Sequence, residues 1–204
     1  IKDSDENSVT SDNLGKFTLR YYNGSLISVG GSDLDSQVLL DDFLVTHKLT
    51  GHTEFKVITP ITSVMYFMNT ASNINSALGI DSSIDILSFD PVANKGDGGI
   101  NDYLYEKGNQ LTIIAYAFQN VSNDLKTGTD KTQDYFKAIA EELEKEYNES
   151  NIKVDIETEA FISKVLDNLI TAKTLTISDE AKANTLNAMY GFLPIIQVKA
   201  EDNI

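Results

Sequence analysis

At Thr59-Pro60 the spacing of apolar residues changes from every second position to every third or fourth, and this change decides what the chain can fold into. Upstream, GKFTLRYYNGSLISVGG places Phe17 and Leu19 in alternation with polar neighbours, and Leu26, Ile27 and Val29 follow Asn23-Gly24. That dipeptide favours a tight hairpin turn, so two strands joined by it are predicted. Two further strands are expected near 43–49 and 54–58, on either side of Thr50-Gly51. A strand pair is marginal alone and needs an apolar surface to rest on, which the second part of the chain supplies.

Downstream, Thr59 can cap a helix, and Pro60 at the first helical position sacrifices no hydrogen bond. Ile61, Val64, Met65, Met68, Ile74 and Leu78 continue one apolar stripe, interrupted around NTASNIN and closed by Gly79, as in one bent helix or two short ones. A long helix is predicted from Asn101 to about Leu125, with Leu104, Leu111, Ile114, Ala115, Phe118 and Val121 inward. Residues 131–147, KTQDYFKAIAEELEKEY, form the clearest amphipathic segment: Tyr135, Phe136, Ile139, Leu143 and Tyr147 on one side, EELEKE toward water. Another helix runs from Thr158 to Ala172, and a last one, capped by Ser178, ends at Gly191 with Pro194 beyond. The predicted fold class is α+β, mainly α: a bundle of about five helices with a small N-terminal antiparallel β element. Residues 1–14 read as a linker or flexible N-terminus, 15–58 as a β-rich subdomain, and 59–204 as the helical bundle, the last two packed as one unit.

Against 31 acidic residues stand 16 basic ones, and Arg20 is the sole arginine. Phosphate recognition favours arginine forks and a positive field, so nucleic acid and anionic membranes are poor partners. Without cysteine there is no disulfide, no thiolate nucleophile and no cysteine-held metal. No apolar run approaches the ~20 residues of a membrane span, which argues against membrane insertion. The chain does not begin with Met and reads as a processed chain or a piece of a larger one.

Motifs that carry chemistry are sparse. His47 and His52 flank the Thr50-Gly51 turn with no third ligand at helical or strand spacing. No GxSxG elbow is present, and the glycines of VGGSD and GDGG lack both the P-loop lysine and dinucleotide spacing. The acidic loops remain. Asp81 and Asp85, then Asp90, Asp97 and Asp102 in SFDPVANKGDGGIND, set oxygen ligands in glycine-bearing backbone, which suits calcium; Asp90, Asp97 and Asp102 are the candidate metal ligands. Their spacing is not that of an EF-hand. GGSDLDS at 30–36 is a second candidate. The same residues also build turns and helix caps: Asp81 and Asp102 sit near helix ends, and Asp90 before Pro91 can close an Asx turn.

Three stretches, GKFTLRYYNGSLISVGGSDLDS, VITPITSVM and ALGIDSSIDILSFDP, resemble a module that recurs in very large bacterial surface and secreted proteins of adhesin-like character. The resemblance covers residues 15–91; Ile61, Ser63 and Met65 depart from its usual leucine, threonine and apolar pattern. It implies no catalytic residue, an extracellular or cell-surface setting, neighbouring domains of a larger chain as partners, and proximity to calcium-dependent repeats. The expected function is a noncatalytic module for adhesion or architecture, stabilised by calcium if the loops bind it, with a surface glycan or protein as ligand. One alternative is a carbohydrate- or peptide-binding module, with Tyr21, Tyr22, Tyr103, Tyr105 and Tyr116 along a groove. Another is an acid-base hydrolase, which needs two carboxylates roughly 5 to 9.5 Å apart across a pocket.

Overall fold

A computed structural model describes residues 1, 3, 5–12, 16–19, 24–30, 43–45, 57–93, 96, 98–121 and 132–194. The first helix, α1 (Pro60–Phe67), starts where Thr59-Pro60 predicts. Thr59 accepts a hydrogen bond on its hydroxyl from the Thr62 amide (3.1 Å) and gives its own amide to the Thr62 hydroxyl (2.9 Å). This reciprocal capping box satisfies two amides that a helix start leaves open, a contribution of about 1 kcal/mol. The stripe then breaks as NTASNIN suggests: Met68 is extended, a 3-10 turn covers Ala71–Asn73, and α2 (Ile74–Leu78) follows. Gly79 ends α2 at φ 71°, in the left-handed region that a Cβ disfavours.

Four longer helices complete the bundle: α3 (Ile100–Val121), α4 (Thr132–Ser150), α5 (Glu159–Ala172) and α6 (Asp179–Tyr190). Thr158 and Ser178 cap α5 and α6 with their hydroxyls, as their sequence positions suggest. Beyond Val121 the expected continuation of α3 lies outside the described residues.

The β element is real, but its pairing differs from the local hairpin expected around Asn23-Gly24. Strand β1 (Ile27–Val29) pairs antiparallel with β2 (Phe43–Val45), in the register Ile27 to Val45, Ser28 to Leu44 and Val29 to Phe43. Residues 16–19 are not in a strand, and neither are Val57 and Ile58 of the expected fourth strand. The physical reason is support. β2 lies against α1 and α4, so pairing with it joins β1 to a strand that the helices already support, which a short-range turn alone does not supply. Val57 instead is buried and gives its amide to the Leu87 carbonyl (3.0 Å), tying the entry of α1 to the acidic loop.

Helix α4 is central, packed against α1, α2, α3, α5 and β2. Tyr135, Phe136, Ile139, Ala140 and Leu143 are fully buried along it. Burying each of the larger of these side chains contributes roughly 1.5–3 kcal/mol. Its central position also corrects the expectation that EELEKE faces water: Glu142 and Glu144 are buried. Enclosed on several sides, the helix keeps a wet stripe through Lys137, Glu141 and Lys145, and its polar residues off that stripe must find partners inside. Glu144 finds them in the chain between α1 and the 3-10 turn, accepting from the Asn69 amide (2.9 Å), the Asn69 side chain (3.0 Å) and the Thr70 amide (2.7 Å). Glu142 accepts from Asn168 on α5 (3.1 Å), and Lys164 of the same helix stands 3.8 Å away. Among the described residues, no helix is long and apolar enough to cross a membrane.

Burial pushes the Glu144 carboxyl up, yet the hydrogen bonds from Asn69 and Thr70 together outweigh it and hold the group below its ordinary value. A depressed carboxylate contributes its full stabilisation above the unfolded pKa, about 4.3, and loses it as pH falls through the folded value. Glu144→Ala should lower unfolding free energy by about 3 kcal/mol at neutral pH in urea denaturation, since three hydrogen bonds to one buried charge are lost. Glu144→Gln should flatten the decline of stability below pH ~4.3 relative to the parent chain.

Candidate functional site

The acidic loop between α2 and α3 is built by its aspartates acting on their own backbone. Asp81 accepts from the Ser83 amide (2.8 Å), and that bond together with the Ser83 side chain holds its carboxyl below the ordinary value. Asp85 accepts from the Leu87 amide (3.1 Å) and from the Ser88 hydroxyl. Asp90 takes the amides of Val92 (2.9 Å) and Ala93 (3.1 Å), the Asx turn expected before Pro91. Asp102, in the first turn of α3, reaches back to the amides of Gly96 (2.6 Å) and Gly98 (3.0 Å), one on each carboxylate oxygen. A carboxylate there also complements the positive end of the helix dipole. Of the three candidate metal ligands, Asp90 and Asp102 thus serve as turn and helix-start acceptors, and Asp97 lies outside the described residues. Among the described residues, no group of three or more His, Asp or Glu side chains is placed to hold a metal ion.

A second constellation, at the same end of the bundle, is more concentrated. Helix α2 is too short to satisfy its own last carbonyls, and distant residues do so: Val154 gives its amide to Ala77 (2.9 Å) and Tyr103 its hydroxyl to Leu78 (2.6 Å). The stem of Lys153 crosses Gly79 so closely that a Cβ there would fall 2.5 Å from its Cδ. Asn75 extends its side-chain amide to the carbonyls of Asp81 (3.0 Å) and Ile84 (2.8 Å), fixing the start of the acidic loop. The Tyr103 ring lies beneath two ammonium groups, Lys107 at 5.5 Å and Lys153 at 5.6 Å. Lys107 is itself buried, donating to Glu157 (2.5 Å) and Gln110 (2.7 Å), while Gln110 donates to Glu106 (3.3 Å).

Sequence reasoning missed this cluster, although it left a signal. Leu104, Leu111, Ile114 and Phe118 define the inward stripe of α3, and both Lys107 and Gln110 stand within it at helical spacing. Polar residues inside an apolar stripe are the mark of a buried network. Glu157, across a loop from the helix it helps to place, carried no such mark.

The other candidates stand apart from this cluster. His47, His52, Tyr21, Tyr22 and most of GGSDLDS lie outside the described residues. Tyr103 is committed to Leu78, and Tyr105 and Tyr116 are half-buried on α3. A cleft of about 380 Å³ is lined, among the described residues, by Ile1, Ser8, Val9, Thr10 and Val29. Near it, Asp3 is buried and accepts from the Asp5 amide (3.0 Å), the Asn7 amide (2.9 Å) and the Asn7 side chain (3.0 Å), so the N-terminal residues form a closed turn.

Truncating one partner of a buried ion pair leaves the other charge without compensation, whereas removing both for apolar groups is often neutral. Glu157→Leu, which strands the buried Lys107, is therefore expected to cost about 3 kcal/mol, and Lys107→Met with Glu157→Leu less than about 1 kcal/mol, measured as a double-mutant cycle in urea. For the acidic loop, Asp102→Ala should speed hydrogen exchange at the Gly96 and Gly98 amides while leaving α4 protected. Comparison of the chain with protein-family models, with curated proteins and with solved structures finds no match.

Proposed function

We propose that this chain is a noncatalytic module of a larger bacterial protein, secreted or held at the cell surface, that contributes to adhesion or to the architecture of that protein. The observation that carries this reading is what the carboxylates do. Asp81, Asp85, Asp90 and Asp102 close turns, and Glu144 bolts α4 to the joint after α1. Acidic residues spent this way stiffen connections between helices, which suits a part that must hold its shape among neighbouring domains. The resemblance of residues 15–91 to modules of adhesin-like proteins supports the same reading. Calcium is the cation we propose for the loop carrying Asp90, Asp97 and Asp102, whose oxygen ligands in glycine-bearing backbone suit a hard cation.

Displayed on a bacterial surface, the chain should increase retention of cells under flow on glycan- or protein-coated glass, relative to an unrelated helical domain of equal length. Equal retention, together with turnover of peptide, ester or glycoside substrates by the purified chain, would overturn the reading. Millimolar calcium should raise the melting temperature reversibly, and Asp97→Asn with Asp102→Asn should abolish the rise. A melting temperature indifferent to both calcium and chelator removes the metal from the proposal and leaves the module.

A further inference from the structure

We draw no further inference here: the strongest candidate, the carboxylate of Glu142 buried between α4 and α5, one oxygen of which takes no hydrogen bond, is already faced by the ammonium groups of Lys164 at 3.8 Å and Lys145 at 3.9 Å, so nothing in the structure calls for a further ligand there.

Discussion

Enclosure of α4 is the constraint from which the remaining structure follows. A helix touched by α1, α2, α3, α5 and β2 keeps only the stripe of Lys137, Glu141 and Lys145 in solvent along its middle turns, so a charge it carries elsewhere in those turns must be matched from outside. Glu144 is matched by backbone amides of Asn69 and Thr70, at the point where α1 ends and leaves amides and carbonyls without helical partners. The break in the apolar stripe at NTASNIN and the buried glutamate are therefore one feature seen from two elements. Each satisfies groups that the other leaves open.

The same logic governs α2, which follows that joint directly. Helix α2 spans only Ile74–Leu78, and its carbonyls are taken by Val154 and Tyr103 instead of by a further turn of its own. Tyr103 thereby fixes the start of α3, Val154 the approach to α5, and Lys153 fills the space that Gly79 leaves vacant. At this end, side chains and backbone groups far apart in sequence replace regular secondary structure. On the opposite side of α4, Lys164 bridges toward Glu146 at 2.7 Å; that hydrogen bond raises its pKa and adds an exposed tie between α4 and α5.

Helices were legible wherever local chemistry and periodicity agreed. Thr59-Pro60, Thr158 and Ser178 mark starts because a capping hydroxyl acts within three residues, and Gly79 marks a stop because its backbone conformation is local. Strand pairing was not legible in the same way. Asn23-Gly24 suggested a partner a few residues away, but Ile27–Val29 pairs with Phe43–Val45, because the decisive term is the helix surface beneath β2. Nor could residue type alone distinguish the two roles open to Asp90 and Asp102, since accepting backbone amides and coordinating a cation use the same oxygens. The buried glutamates of EELEKE were hidden for a related reason: amphipathic periodicity assumes that the whole polar side is wet, and in α4 the wet part is the stripe of Lys137, Glu141 and Lys145, which Glu142 and Glu144 flank.

The bond from Glu144 to Thr70 also bears on the order in which this chain can acquire its structure. Its partners are separated by 74 positions, those of the contact between Asn73 and Asn148 by 75, and those between Lys107 and Glu157 by 50. As the chain emerges from the ribosome, α1 and α2 must wait for α4 before the amides of Asn69 and Thr70 meet their acceptor. Until then their apolar stripe has only β2 and α3 to cover it, and short helices of this length do not persist in water by themselves. Formation of the bundle is thus postponed until its C-terminal half has been made, a topology that favours slower folding and leaves the nascent N-terminal half dependent on protection from aggregation.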